Sequence, residues 1–426
     1  MSQDRKKGFF QSDLETMSPD DRTAYQLRRL RDTLAHAWEN APSMKARLEK
    51  AGLAYDDIRG ISGIEVLPVL KKSELIEEQR KGLPFGGFCG MKQQDLHRIY
   101  ISPGPIYEPG EAEDGDLRWP QALFAGGFRS GDIAQVTFNF NMVPVGFWLD
   151  AALRRLGCIT VPAGIGNTEL QLQVMRELKV TGYLGTPSFL ATIAERAENA
   201  GLDLRSDLNL KVGFVAGEPL PESLRNNLEE RFGMIVRQSY GTADVGCLAY
   251  ECIEKNGMHY PDDCIVEIVD PGTGRRLGPN ETGEVVATVF DRGYPLIRFG
   301  TGDLSYYSDA PCPCGRTSHR LMKIVGRVDQ LTKVKGLFVH PSQVDEVAAR
   351  FPALGKCQVL VLREANQDRM IFRAEVAATA PNVEGLKGQV SAMVQEIMRL
   401  KGEVEFLPPD SIPPDAKKVD DQRKWD

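Results

Sequence analysis

The sequence predicts an α/β protein built as a large domain followed by a small one. Three observations predict it. Between Gly131 and Val236, short β-branched runs alternate with segments of helix length. From Cys264 to Ser305, short runs are joined by Gly/Pro turns instead. After Asp329 the pattern restarts as a compact α+β unit. Strand–helix alternation gives a largely parallel sheet with helices on its faces, whereas turn-joined strands pair antiparallel. The expected division is 1–328, with layered, mostly parallel sheets plus an antiparallel subdomain, and 329–426, a small mobile α+β domain.

Composition sets the outer bounds. A chain of 426 residues can bury a large core, and 42% hydrophobic with 26% charged residues is ordinary for a soluble globular protein. A net charge of −7 argues against nucleic-acid or anionic-membrane partners. No apolar run approaches the roughly 18 residues of a membrane helix. The start, MSQDRKKGFFQSD, has basic residues but no apolar stretch after them, so no signal peptide is expected. The expected location is the cytoplasm, where the eight cysteines are thiols or metal ligands instead of a disulfide framework. The sequence leaves the oligomeric state open, a homodimer included.

In chain order, Ser18-Pro19-Asp20-Asp21 is a helix start, with Ser18 as N-cap and Pro19 in the first turn. Leu27, Leu30, Leu34 and Trp38 mark its apolar face. A second helix, Met44 to Ala51, stops at Gly52, and the lead-in to about Gln94 reads as helical with loops. The alternating region gives strands Ile133–Phe138, Ile159–Val161, Gly182–Leu184, Val212–Val215 and Met234–Val236. Helices Phe147–Leu156, Glu169–Leu178, Ser188–Ala200 and Glu222–Phe232 separate them. Ligands of such sheets sit in loops at strand carboxyl ends, here Gly217-Glu218-Pro219 and Ser239-Tyr240-Gly241-Thr242. Asp270-Pro271-Gly272-Thr273-Gly274 lacks a following helix, so it is a hairpin turn and not a phosphate loop. The small domain reads as helix Pro341–Arg350, strands Gln358–Leu362 and Met370–Ala377, helix Val383–Leu400 and strand Glu403–Phe406.

Four residues form a metal candidate. Cys252 and His259 lie on one turn region, and Cys312 and Cys314 on another. Two ligand pairs from separate loops suit a closed Cys₃His site for structural Zn²⁺. Cys247 and Cys264 are competing partners, and free thiols with a surface histidine are the plain alternative.

Three further motifs carry a resemblance. Gly300-Thr301-Gly302-Asp303-Leu304, Gly326-Arg327-Val328-Asp329 and Tyr240-Gly241-Thr242-Ala243-Asp244 together resemble the adenylate-forming ligases, most closely the phenylacetate–CoA ligase branch, from about Thr16 to Arg423. The resemblance implies an adenylate-forming large domain and an AMP-forming acyl- or aryl–CoA ligase that uses ATP, Mg²⁺, a carboxylic acid and CoA. It implies that Asp303 and Arg327 hold the ribose and that Asp329 is a hinge. Tyr240 would stack on adenine beside Gly241, with Ser239, Gly217 and Glu218 around the nucleotide. Thr242 would bond the α-phosphate, and Asp244, one methylene shorter than the family's Glu, would bind Mg²⁺. The acyl pocket would draw on Phe138, Phe140, Val143 and Tyr183, though the same alternation fits a plain buried strand.

The pattern breaks twice. Where the family has Ser-Ser-Gly-Thr-Thr-Gly-Lys-Pro, this chain has Ser102-Pro103-Gly104-Pro105-Ile106-Tyr107-Glu108-Pro109. Prolines remove amide donors, both threonine hydroxyls are missing, and Glu108 replaces the lysine. At ~4 Å and an effective dielectric of ~20, that reversal of charge opposes a triphosphate by several kcal/mol. At the C-terminus, Asp415 stands at the lysine that drives adenylation. Lys418, or Lys417, takes that role if the loop shifts by two or three residues; otherwise the segment is a solvated basic tail. The alternative to a ligase is a divergent member that binds AMP, an acyl-adenylate or acyl-CoA without activating ATP.

Overall fold

The computed structural model describes the chain except residues 1–3, 103, 112–116, 335–336, 365–366, 378–382 and 424–426. It divides into two compact units: Met1–Thr301 with Ser305–Ile324, and Gly302–Leu304 with Val325–Asp426.

The lead-in helix Pro19–Asn40 begins as its sequence requires, the Ser18 hydroxyl accepting from the Asp21 amide at 3.1 Å. Helix Pro42–Lys50 follows. The lead-in is not wholly helical, however. Leu70–Lys71 is a short strand pairing parallel with Phe299 and Gly300, more than 200 residues away in sequence, a partnership no local pattern announces.

Five strands of the first unit run parallel: Ile159–Pro162, Ile133–Val136, Gly182–Gly185, Val212–Val215 and Ile235–Thr242, in that spatial order. The same sheet continues antiparallel through Gly246–Glu251, Met258–His259, Arg320–Leu321 and Tyr307–Ser308. Side chains of the parallel block alternate between two cores, as the period of a strand demands. Leu184 and Phe214 join the helices Trp119–Gly126 and Val145–Arg155 on one face. Tyr183 and Val215 join Thr168–Glu177, Pro187–Asn199 and Glu222–Phe232 on the other.

A second sheet orders Leu70–Lys71, Phe299–Ser305, Gly283–Val289 and Cys264–Val269. Asp270 caps the bend after its last-named strand, its Oδ1 accepting from the amides of Gly272 and Thr273, so the hairpin reading holds.

The second unit carries a four-stranded sheet in the order Glu403–Leu407, Gln367–Val376, Leu354–Glu364, Val419–Asp421. Helices Pro341–Ala349 and Val383–Met398 pack on it around Val344, Val347, Phe372, Val390 and Val394.

Candidate functional site

Thr242 ends a strand and Asp244 is the middle residue of the three-residue turn, 243–245, between the antiparallel strands Ile235–Thr242 and Gly246–Glu251. The Ser239-Tyr240-Gly241-Thr242 segment is thus the end of a strand, not the loop its sequence suggested. It continues because its backbone groups find the returning strand. Gly241 is required there: a Cβ would meet the Gly246 carbonyl oxygen at 2.4 Å. Arg118, 5% exposed, fixes the turn from behind, donating to the carbonyls of Val245 and Cys247 and pairing with Asp291 at 3.2 Å. The Thr242 Oγ1, Ser239 Oγ and Asp244 Oδ1 atoms are buried without a hydrogen-bond partner among the described residues. Such atoms are costly unless something completes them.

Lys72 is the functional neighbour that the sequence reading missed. Its Nζ sits 3.0 Å from Asp244 Oδ2, with Asp244 almost fully buried and Lys72 about one-third exposed. A signal existed. Lys72 is the first residue of helix Lys72–Lys81, where a cation opposes the helix dipole. A lysine placed there against local preference has a partner elsewhere.

The segment aligned with the phosphate loop is a β-hairpin, Arg98–Ser102 against Ile106–Gly110, with Ser102 opposite Ile106. Pro103 lies outside the described residues. Glu108 points inward from the second strand and is 2% exposed. Among the described residues neither of its carboxyl oxygens has a well-formed hydrogen bond, though the Ser102 hydroxyl and the Lys72 ammonium ease its charge. Burial first, and then the charge of Asp244, push the Glu108 carboxyl well above its ordinary range. Glu108 and Asp244 line one small cavity of about 50 Å³ with Leu117, Trp148 and Tyr294. Gln79 closes the rear, bonding Tyr294 Oη at 3.1 Å and both backbone groups of Tyr107.

At the neighbouring strand ends, Gly217 takes a left-handed φ of +82°. Space for a Cβ there is bounded by Phe138 and Thr186, each at 3.9 Å. Glu218 is exposed and accepts from the Ser188 amide at 3.4 Å. Phe138 and Phe140 are partly buried against one core, and Phe140 meets Phe147 edge-on at 5.1 Å. Val143 is half-buried nearby in sequence. Tyr183 must be removed from the expected acyl pocket. It is fully buried in the opposite core, its hydroxyl donating to the Thr186 carbonyl at 2.9 Å, because neighbouring strand residues face opposite sides of the sheet.

In the second unit, Asp303 and Arg327 are opposite one another in a β-pair and joined by a 2.8 Å ion pair. Gly302, at φ +77°, leaves room for the guanidinium: a Cβ would lie 2.8 Å from its Nη2. Asp329 Oδ1 is 3.4 Å from Arg327 Nε. Asp415, Lys417 and Lys418 are exposed, and the Lys418 ammonium is engaged by both carboxyl oxygens of Asp345. An open cleft of about 600 Å³ is lined by Asp329, Thr332, Pro341, Lys417, Lys418 and Asp420, among others.

The four metal candidates converge. Cys252 follows strand Gly246–Glu251, and His259 ends Met258–His259, while Cys312 and Cys314 sit on one turn closed by the Gly315 amide to the Cys312 carbonyl. Their ligand atoms all lie within 4.8 Å of one another. Cys252 and Cys312 sulfurs are 3.8 Å apart, the spacing that ~2.3 Å Zn–S bonds give at a tetrahedral angle. Cys314 Sγ is 3.4 Å from His259 Nε2, and the His259 Nδ1 faces the Ser318 carbonyl at 3.3 Å. The Cys252 hydrogen bond, aided by His259, pulls the Cys314 thiol down, while that bond and burial push Cys252 up and burial pushes Cys312 up. Cys247 and Cys264 are buried elsewhere, directed at the carbonyls of Ala249 and Pro261. The cysteine turn is anchored to the chain's beginning: Arg316 pairs with Glu15 at 2.7 Å, and Thr317 donates to the Glu15 carbonyl.

Residues 140–288 match the AMP-binding enzymes, and residues 336–423 match the AMP-binding enzyme C-terminal domain. The phenylacetate-coenzyme A ligase of Aromatoleum evansii is 30% identical over 398 residues, covering 90% of this chain and 88% of that protein. Its counterpart from Pseudomonas putida is 29% identical over 399 residues, covering 91% and 88%. Among solved structures, an open conformation of 2-hydroxyisobutyryl-CoA ligase with 2-HIB-AMP and CoA aligns with a TM-score of 0.88 at 25% identity, covering 98% of this chain and 95% of that one.

Proposed function

The chain belongs to the AMP-binding enzymes, in their phenylacetate–coenzyme A ligase branch, and on that premise we propose that it is an AMP-forming acid–CoA ligase. A carboxylate oxygen attacks the α-phosphorus of ATP and pyrophosphate leaves; the CoA thiol then attacks the acyl carbon and AMP leaves. The observation that carries this reading is the 243–245 turn. There a hydroxyl and a carboxylate oxygen, from Thr242 and Asp244, are held buried and unpartnered at the end of a strand. Thr242 donates to the α-phosphate, and Asp244 is the Mg²⁺ ligand. The ion, when bound, neutralises charge on the phosphates. Ser239, Tyr240, Gly241, Gly217 and Glu218 receive the adenine side, and Phe138, Phe140 and Val143 bound the acid's apolar group.

In the second unit, Asp303 accepts from ribose hydroxyls and Arg327 orients it. Asp329 is the hinge of the small domain, and Lys418 serves adenylation only after leaving Asp345. Cys252, His259, Cys312 and Cys314 hold a structural Zn²⁺. All four positions are protein ligands, so the ion pins loops and takes no part in the chemistry. A non-adenylating binder is not favoured, because these matching proteins, which cover 90–98% of the chain, are CoA ligases. No helix among the described residues is long and apolar enough to cross a membrane. A cytoplasmic location and a homodimer go with this reading, testable by fractionation and light scattering.

Acid-dependent exchange of labelled pyrophosphate into ATP, across aryl and short-chain acids, tests the first half-reaction. CoA-dependent release of AMP tests the second. Silence across the panel with tight AMP binding would reverse the conclusion.

A further inference from the structure

Two hairpins deliver acidic side chains to one buried point. Glu108 comes from strand Ile106–Gly110 and Asp244 from the 243–245 turn. Both face the cavity of about 50 Å³ that they share with Leu117, Trp148 and Tyr294. Among the described residues three carboxyl oxygens facing it are buried without a well-formed hydrogen bond: both of Glu108 and Oδ1 of Asp244. An unpartnered carboxylate that is only 2% exposed is a heavy cost unless a cation or a donor completes it. Lys72 does not complete it, since its ammonium sits on the other oxygen of Asp244, Oδ2. Glu111 and Asp291 also line the cavity, the latter paired with Arg118, so the pocket is acidic where phosphate is to be received. A divalent cation would offset this charge and give the buried oxygens a partner.

We propose that Glu108 is a second carboxylate ligand for the divalent cation held at Asp244, so that the cation is seated before nucleotide arrives. The inference rests on the reading of Asp244 as a metal ligand. All the donors are hard oxygens, which select Mg²⁺ or Mn²⁺ over the softer metals. The cavity has room for one such ion and a water or two, a water needing at least ~10–15 Å³. The ion joins the hairpin aligned with the phosphate loop to the turn of Thr242 and Asp244. The substitution of Glu for Lys then leaves a metal cation, in place of an ammonium, to face phosphate.

The test uses the full chain with its zinc and no nucleotide. Loss of the free Mn²⁺ signal in electron paramagnetic resonance titrations should report one bound ion per chain. Glu108→Gln should weaken Mn²⁺ binding at least tenfold, and Glu108→Asp should restore part of it. Melting curves of each variant establish that it is folded. If the parent binds no Mn²⁺ without nucleotide, or if Glu108→Gln binds it as tightly, the proposal is overturned. Pyrophosphate exchange separates this from the ligase reading. Exchange without Glu108-dependent Mn²⁺ binding sinks the proposal and leaves the ligase; Glu108-dependent binding without exchange does the opposite.

Discussion

Gly241→Ala probes how far the site depends on one close approach. The added Cβ would lie 2.4 Å from the Gly246 carbonyl oxygen and 3.1 Å from Cys247 Cα. Real contacts of this kind do not fall below 3.0 Å, so the strands must part by about the 0.6 Å difference between the two distances. Both neighbouring atoms are backbone, so no rotamer change relieves the clash. Overpacking of this kind costs about 1–3 kcal/mol, a shift of a few degrees in melting temperature. The rate should suffer more. Thr242 is the next residue and Asp244 lies in the turn that the two strands hold, and a misplacement of ~1 Å can cost about 10²-fold. We expect pyrophosphate exchange to fall by ten- to a hundredfold while the protein stays folded. Gly131→Ala is the control: its φ of +87° is unfavourable for alanine, but nothing lies within 4 Å. It should lose comparable stability, ~1 kcal/mol, with no loss of rate. An unchanged exchange rate in folded Gly241→Ala would refute the placement of the reacting groups on this turn.

Other outcomes follow from the same geometry. Metal analysis should find about one zinc per chain, and Cys312→Ser should lose it, with a lower melting temperature that chelator reproduces in the parent. Arg225, fully buried, makes two 2.7 Å bonds to the buried Glu251. Arg225→Met should cost ~3–5 kcal/mol in urea denaturation, and pairing it with Glu251→Leu should recover most of that. Burial raises the Asp132 carboxyl, but the Arg5 guanidinium at 2.6 Å, the Arg129 amide and the Thr181 hydroxyl together hold it below the usual range. A lowered folded pKa gives stability that is present above the unfolded value and lost as pH falls through the folded one. Asp132→Asn should therefore be ~1.5–3 kcal/mol less stable at neutral pH, and the gap should close as pH drops below about 4.

Period and punctuation made most of the fold legible. Val212–Val215 and Glu222–Phe232 stand where β-branched runs and amphipathic spacing put them. What local pattern could not give depends on partners distant in sequence. Strand Ile235–Thr242 runs on past Val236 because Gly246–Glu251 returns beside it. Strand Val419–Asp421 exists because Leu354–Glu364 offers an edge. At the site, residues in fixed motifs were readable: Asp303 and Arg327 are joined as a pair, and the Cys/His set converges. Arg118 and Arg225 were not, since a buried cation looks like a surface one until its partner is known; Lys72 showed only as a cation at an unfavourable helix start. Tyr183 was placed in a pocket because an aromatic beside a strand end suits either side of a sheet; only the count from Leu184 decides which.

The ribbon from Arg98 to Gly110 bears on any attempt to re-engineer the chain toward its relatives. Several of its amides are already committed, Ile101 to the Met142 carbonyl and Tyr107 to Gln79, and Pro103, Pro105 and Pro109 have no N–H to give. Writing threonines and a lysine back into it would supply hydroxyls and charge, but no cradle. A transplant would have to replace the whole ribbon, together with Gln79, which grips its far strand.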